Sequence, residues 1–143
     1  MSVTKDLHSQ IVVGTAIALT AVADGEDVTG TAIDRQGSDG LEIIFYVGAY
    51  TDGSVTPLIE DSDDNVTYTA VADANLTNTE ASAALSAAGV SSIGYVGFKR
   101  YVRATAVTAA GSTLSVGASA IKYGLRLQDT VNSSLQGTVD PEE

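Results

Sequence analysis

The densest group of potential metal ligands is the acidic run at residues 60–65, which reads Glu-Asp-Ser-Asp-Asp-Asn. Alternating carboxylates of this kind suit a hard cation such as Ca²⁺. The candidate ligands are Asp61, Asp63 and Asp64. An EF-hand loop that began at Asp61 would place Val66 at the obligatory glycine position and Ala72 at the bidentate glutamate position. Both positions fail, so we predict no metal site and interpret this run as a hairpin turn with residues 64–65 at its tip.

Groups that could catalyse a reaction are sparse. The chain has no Cys and one His, which excludes thiolate sites and any site that needs two imidazoles. His8 lies in a polar N-terminal stretch, and no Ser lies in a Gly-x-Ser-x-Gly elbow. The carboxylates at residues 60–65 lack the apolar pocket that would raise the pKa of a general acid. We therefore predict a protein that is not an enzyme and needs no cofactor.

Charge is unevenly distributed along the chain. The formal net charge is −11, from 18 acidic and 7 basic residues, which disfavours nucleic acid and anionic lipid as partners. Residues 36–98 contain nine acids and no Lys or Arg, and basic residues return at Lys99, Arg100, Arg103 and Lys122. This division indicates either docking on a complementary protein surface or pairing with the chain's own acids. The candidate docking residues are Lys99, Arg100, Tyr101 and Arg103.

The elements that must position these groups are predicted to be strands. A length of 143 residues fits one domain, and the chain holds 40 β-branched residues against 2 Pro. Apolar alternation between Gly, Asn and Asp turn clusters predicts an all-β, antiparallel jelly-roll β-sandwich of about eight strands. The predicted strands are residues 10–20, 28–33, 41–48, 55–60, 66–72, 91–98, 100–108 and 113–127. Polar arms at residues 1–10 and 128–143 flank a domain at residues 11–127.

Two stretches have other signals. Residues 79–89 have helical character, with Thr79 as a candidate N-cap, and are predicted to be a crossover loop with a helical turn or two. Residues 11–23 have the outline of a secretory signal, but their alternation predicts a strand. No run reaches the roughly 18 apolar residues of a membrane span. We therefore predict no membrane partner.

The last predicted strand changes phase. One face carries Leu114, Val116, Ala118 and Ala120, and the other carries Ile121, Tyr123 and Leu125. A shift of one residue reverses every side chain, so either a bulge lies near Ala120 or both faces are covered. The second case would make Ile121 and Tyr123 part of a subunit interface.

Pro57 interrupts the predicted strand at residues 55–60, because it has no N–H for a ladder. It therefore indicates an edge strand or a bulge. An open edge is either covered by a partner subunit, which would make Pro57 an interface residue, or exposed to solvent. In the second case the charges of Glu60 and Asp61 would disfavour pairing with another chain.

The order of several short motifs resembles a family of small proteins encoded beside the major capsid protein in tailed bacteriophages, the head decoration or cement proteins. The motifs lie between residues 33 and 108. They are residues 33–37 (IDRQG), 41–47, 51–57 (TDGSVTP), 60–71 (EDSDDNVTYTAV), 94–97 (GYVG) and 99–103 (KRYVR). The resemblance implies a non-catalytic jelly roll that forms a homodimer, with a trimer as the alternative. It also implies that the protein is made in the bacterial host cytoplasm and binds the major capsid protein on the outer surface of the virion.

One motif leaves a second function open. The hairpin at residues 62–68 is also similar to one in galactose-binding-like jelly rolls, so the alternative is a carbohydrate-binding module on a virion or secreted protein. The family pattern usually has Gly and Trp where this chain has Asn65 and Tyr68. Without the Trp, the hairpin lacks that stacking platform for a sugar ring.

Overall fold

Two antiparallel sheets form the domain in the computed structural model, which describes residues 6–125. The strands in chain order are β1 (Val12–Val22), β2 (Val28–Thr29), β3 (Ile33–Asp34), β4 (Ser38–Asp52), β5 (Val55–Ser62), β6 (Thr69–Ala70), β7 (Leu76–Thr77), β8 (Gly89–Tyr95), β9 (Tyr101–Thr108) and β10 (Thr113–Leu125). Short 3₁₀ turns lie at His8–Gln10 and Asp73–Asn75. Within the described range, no helix is long and apolar enough to cross a bilayer.

The strand order is that of a jelly roll. Sheet A runs β1-β10-β4-β8-β7, and sheet B runs β2-β9-β5-β6, with β3 also paired to β9. With β2 and β3 counted as one interrupted strand, the chain fills four main positions in each sheet, and β7 extends the edge of sheet A. This confirms the predicted all-β, antiparallel jelly-roll sandwich. The predicted strand at residues 66–72 is reduced to the two residues of β6.

The core lies between the sheets and follows the alternation of the sequence. On β4, Leu41, Ile43 and Phe45 are fully buried, and on the facing sheet Val102 and Ala104 of β9 are fully buried. Burial of each large apolar side chain stabilises the fold by about 1.5–3 kcal/mol.

The outer edge of β5 is covered by the chain itself. Val55 and Leu85 exchange backbone hydrogen bonds of 2.8 Å in both directions. The Ile59 N–H donates to Oε1 of Glu80 at 2.7 Å. Pro57 lies between these two points and is fully buried. This corrects the expectation that a partner subunit or solvent meets this edge, and it leaves the Pro57 side chain no surface to offer to another subunit.

The covering segment contains one helical turn, as predicted for residues 79–89. Oγ1 of Thr79 accepts a 3.1 Å hydrogen bond from the Ser82 N–H, and the Ala83 N–H donates to the Thr79 carbonyl at 3.0 Å. Thr79 therefore caps this turn as its side chain predicts.

Of the two alternatives for the last strand, a bulge of β10 near Ala120 is not present. β10 pairs with β4 in continuous register from Val116 to Leu125. The β10–β4 pairing is irregular only near Leu114, and in the β1–β10 pairing the irregularities lie between Thr15 and Ile17 and between Ile17 and Thr20, where β1 carries the extra residues. β1 lies at the edge of sheet A and can absorb extra residues without disturbing a second neighbour. Ile121 is half-buried on the outer face of sheet A, and the exposed Tyr123 follows it there.

The predicted arms fall mostly beyond residues 6–125. The described part of the N-terminal arm contains the 3₁₀ turn at His8–Gln10. The C-terminal arm predicted at residues 128–143 lies outside the described residues.

Candidate functional site

The loop at residues 96–100, between β8 and β9, presents a large apolar side chain to solvent. Phe98 is 95% exposed, and Val96 beside it is 45% exposed. We call this segment the β8–β9 loop. An exposed Phe side chain ordinarily lowers the solubility of a protein. The contacts that hold the Phe98 side chain outward therefore indicate its role.

Arg35, just after β3, fixes the backbone of this loop. Its guanidinium is buried and donates from Nε to the Lys99 carbonyl at 2.9 Å and from Nη2 to the Gly97 carbonyl at 3.2 Å. The same group lies over the Tyr95 ring, 4.9 Å from its centroid. Two carbonyls and an aromatic face together offset the cost of burying the charge.

Tyr95, the last residue of β8, links the loop to sheet B. Its hydroxyl donates to Oδ2 of Asp61 at 2.7 Å and accepts from the Lys99 N–H at 3.1 Å. Burial, and then the hydrogen bond to Asp61, raise the pKa of Tyr95 to about 12. Nζ of Lys99 lies 3.6 Å from Oδ1 of the nearly buried Asp61. The loop is thus held by the buried Arg35, Tyr95 and Asp61 together with the partly exposed Lys99.

Gly97 is required by the same packing. A Cβ at this position would lie 2.5 Å from the hydroxyl oxygen of the buried Tyr95 side chain and nearly as close to its ring. The Val96 N–H also donates to the Asn75 carbonyl at 2.8 Å. Phe98 therefore projects from a loop that is ordered on both sides.

The predicted docking cations pair with the chain's own acids. Arg100 makes two parallel bonds to Asp34, at 2.9 and 2.8 Å, and these hold the pKa of Asp34 at about 2. Arg103 bonds Glu60 at 2.9 Å and lies over the Tyr68 ring, 4.3 Å from its centroid.

Of the two alternatives for Lys99, Arg100 and Arg103, docking on another protein or pairing with the chain's own acids, the structure therefore shows the second. Lys99 and Arg100 nevertheless remain partly exposed, at 39% and 47% of their side chains. The guanidinium of Arg100 also lies 5.0 Å from the ring centroid of Tyr101. This edge can still contact another molecule without losing its internal pairs.

The acidic run forms a turn instead of a cation site. Oδ1 of Asp64 accepts from the hydroxyl of Ser62 and from the N–H groups of Val66 and Thr67, each at 2.9 Å. These bonds hold the pKa of Asp64 at about 2. Asp61 faces Tyr95 and Lys99 instead, and within residues 6–125 no three acidic or His side chains converge as metal ligands. The hairpin turn, and not the weak alternative of a Ca²⁺ site at Asp61, Asp63 and Asp64, therefore describes this run.

A cleft of about 420 Å³ opens beside Phe98. Its walls include Arg35, Ser38, Gly40, Tyr95, Phe98 and Tyr123. The Tyr123 ring lies on Gly40, its cross-strand neighbour, where a Cβ would overlap the ring. Two exposed aromatic rings thus flank a small number of polar groups. This arrangement can bind a ligand but offers no activated nucleophile.

Besides the motif at residues 99–103, which supplies Lys99 and Arg100, three sequence motifs meet at this site. Asp34 and Arg35 come from the motif at residues 33–37, Asp61 from the motif at 60–71, and Tyr95 from the motif at 94–97. Sequence reasoning singled out Lys99, Arg100 and Arg103 but missed Arg35, Tyr95 and Phe98. One signal was present for Arg35, which is the only basic residue between Lys5 and Lys99.

Comparison of the sequence with protein-family models gives no match, and comparison with curated proteins gives none. Among solved structures, the PBSX exported protein XepA superposes with a TM-score of 0.57 at 19% identity, over 80% of this chain. The chain spans 37% of the length of XepA. The SPBc2 prophage-derived protein YomS superposes with a TM-score of 0.49 at 16% identity, over 78% of this chain and 91% of YomS. A third is the N-terminal cellulose-binding domain of Cellulomonas fimi β-1,4-glucanase C, with a TM-score of 0.44 at 12% identity, over 80% and 88% of the two chains. The superposition on XepA shows that the two proteins share a fold.

Proposed function

We propose that this protein is a head decoration protein of a tailed bacteriophage, which binds the outer surface of the shell formed by the major capsid protein and stabilises it. The observation that carries the proposal is the convergence of the motifs at residues 33–37, 60–71 and 94–97 on the β8–β9 loop. These are motifs through which the sequence resembles decoration proteins, and together they hold Phe98 out of the fold. The protein would be made in the host cytoplasm and act on the virion.

The loop has the properties of a docking element. Burial of an exposed Phe side chain contributes about 1.5–3 kcal/mol. The hydrogen bonds of Arg35 and Tyr95 already order the loop, so binding does not have to supply the free energy of ordering it. We propose that Phe98 enters an apolar pocket of the capsid surface, as aromatic residues do at the centre of many interfaces.

The charged residues beside Phe98 would form the rim of that interface. Lys99 and Arg100 are partly exposed, and Tyr101 lies next to Arg100. Rim charges set the orientation and the association rate of a complex more than its affinity. Arg103 is pinned between Glu60 and Tyr68, so its part in docking would be smaller.

No catalytic step is needed for this function. A protein that binds the assembled shell better than its separated subunits stabilises the shell by mass action alone. The ionisable groups of the site, Arg35, Asp61 and Tyr95, bond to one another and to backbone, which suits positioning of the loop.

Heads assembled without this protein provide the test. We expect the purified chain to co-sediment with them and to raise the temperature at which they release DNA. Phe98→Ala should weaken binding by about tenfold or more, because 1.4 kcal/mol is a factor of ten in affinity. Val66→Ala is the matched control, since Val66 is an 80% exposed aliphatic residue of the hairpin at residues 62–68 and not part of the β8–β9 loop. Heads that are equally stable with and without the protein, or equal binding by the two variants, would contradict the proposal.

A second candidate function is carbohydrate binding, and the cleft between Phe98 and Tyr123 favours it. Aromatic faces beside polar groups are suited to the apolar and hydroxyl faces of a sugar. The hairpin first considered for this role lacks an open platform, because Arg103 covers the Tyr68 ring. Titration with millimolar galactose, followed by chemical shifts of the Phe98 and Tyr123 rings, tests this candidate. Unchanged shifts would remove it.

A further inference from the structure

We propose that Asp52 is a site of spontaneous backbone modification, where it isomerises to isoaspartate through a cyclic imide formed with the nitrogen of Gly53. Asp52 is the last residue of β4, and Gly53 begins the short turn into β5. The inference goes beyond the proposed function, because it concerns a change in the chain's own backbone and needs no partner.

The chain contains three Asp-Gly pairs, at residues 24–25, 39–40 and 52–53. Glycine after aspartate favours closure of the imide ring. It has no Cβ to hinder the approach of its nitrogen to the carboxyl carbon, and its backbone adopts many conformations. The sequence alone makes the three pairs equivalent. The structure distinguishes them by what each glycine contacts.

At the third pair, the reacting groups are already in contact. The Gly53 N–H donates to Oδ1 of Asp52 at 2.8 Å. Because Oδ1 is bonded directly to Cγ, the nitrogen and the carbon that it attacks are neighbours. Reacting groups held about 3–3.5 Å apart need little further movement. The Asp52 side chain is exposed, so water can reach the imide and open it.

The other two glycines are committed to contacts of the fold. The Gly25 N–H donates to the Ser112 carbonyl at 3.0 Å, and it must give up this bond to attack Asp24. Gly40 is a buried residue of β4, where it pairs with Tyr123 of β10 and is covered by the Tyr123 ring. Rotation of this peptide towards the Asp39 carboxyl group would disturb the central strand of sheet A. We therefore expect both pairs to react more slowly than Asp52 in the folded chain.

The reaction needs no cofactor and no oxidant. The Gly53 nitrogen bonds to Cγ of the protonated Asp52 carboxyl group, the C–OH bond breaks, and the hydroxyl group leaves as water with the amide proton. Water then adds to one of the two carbonyl carbons of the imide. Opening at Cγ restores aspartate. Opening at the main-chain carbon leaves the backbone running through Cβ and Cγ, which is isoaspartate.

The fold requires glycine at the attacking position. Gly53 has a φ of 101°, in a region that residues with a Cβ rarely adopt. A Cβ on Gly53 would lie 2.0 Å from Oγ of Ser112, in the turn between β9 and β10. A larger residue would slow ring closure but would also displace this turn. The residue that makes Asp52 reactive is thus the one that the turn needs.

Isomerisation should loosen the contact between these two turns. The Ser54 N–H donates to Oγ of Ser112 at 3.2 Å, and the Ala109 N–H donates to the Ser54 carbonyl at 3.1 Å. Isoaspartate lengthens the backbone by one methylene immediately before these bonds, which shifts Gly53 and Ser54 against Ser112. We therefore expect the isomerised chain to unfold at lower urea concentration and its Ala109 amide to exchange faster with solvent.

Ageing of the purified full chain tests the inference. Protein isoaspartyl methyltransferase with labelled S-adenosylmethionine measures the isoaspartate formed, and electron-transfer fragmentation of peptides locates it. We expect isoaspartate at residue 52 to accumulate at least about tenfold faster than at residues 24 and 39. In guanidinium chloride the three pairs should react at similar rates, because the contacts that distinguish them are lost.

A matched pair of variants checks the assignment. Asp52→Glu keeps the charge but would have to close a larger, less favoured ring, so it should abolish the signal at residue 52. Asp24→Glu makes the same change at another Asp-Gly pair and should leave the rate at residue 52 unchanged. A folded wild type in which residue 52 stays aspartate would overturn the inference. Isoaspartate that forms at residue 24 or 39 as fast as at residue 52 in the folded chain would also overturn it.

Discussion

The residues that organise the candidate site are buried polar groups far apart in sequence. Arg35 reaches the carbonyls of Gly97 and Lys99, 62 and 64 residues away, and Tyr95 reaches Asp61 across 34 residues. Local patterns predicted the turn at residues 64–65 and the pairing of basic with acidic residues as one of two alternatives. They could not show which acid each cation meets, because that depends on how the sheets bring distant strands together.

Tyr95→Phe tests the buried network at this scale. The change removes the donor to Asp61 and the acceptor for the Lys99 N–H. Loss of a partner by a buried polar group costs about 1–3 kcal/mol, so we expect the free energy of unfolding at pH 7 to fall by that amount. Tyr123→Phe, which removes a partly exposed hydroxyl, is the control. Urea unfolding measures both variants.

The same variant should also change the response to alkali. The pKa of Tyr95 is about 12 in the folded protein and 10 as its ordinary value, so the unfolded chain loses this proton first. The wild type should therefore lose stability as the pH rises from 10 towards 12. Tyr95→Phe lacks this contribution, and its unfolding free energy should fall less over that range. Equal losses in wild type and variant would show that Tyr95 ionises normally.

At the scale of elements, the sequence predicted most strands but not which segments of the chain cover their edges. Alternation and turn residues placed the long strands, whereas β6 and β7 have two residues each, too few for a periodic signal. Pro57 lies where the side of β5 away from β9 has no regular strand partner, because β6 pairs only with Glu60 and Asp61. The residues that cover the edge are Leu85 and Glu80, more than 20 residues away, so no local pattern identified them. The phase change on β10 was real, and its cause is an apolar outer face and not a bulge.

Glu80 provides the test for this edge. Glu80→Ala removes the acceptor for the Ile59 N–H. On this side of β5, Pro57 has no N–H and the Val55 N–H is bonded to the Leu85 carbonyl, so the Ile59 N–H is the donor that needs a partner. We expect the free energy of unfolding to fall by about 1–3 kcal/mol and the Ile59 amide to exchange faster with solvent. Glu80→Gln keeps an oxygen at the same position and should lose less stability. NMR-detected hydrogen exchange of the two variants makes the comparison, and equal exchange at Ile59 would contradict the role of Glu80.

At the scale of the whole molecule, the separation of charge along the chain largely disappears on folding. The acids Asp61 and Glu60 meet Lys99 and Arg103 of the later, basic part of the chain, and Arg100 meets Asp34. What remains is the excess of acids, a net charge of −11. Because Lys99, Arg100 and Arg103 are already paired within the chain, this acidic excess disfavours anionic partners.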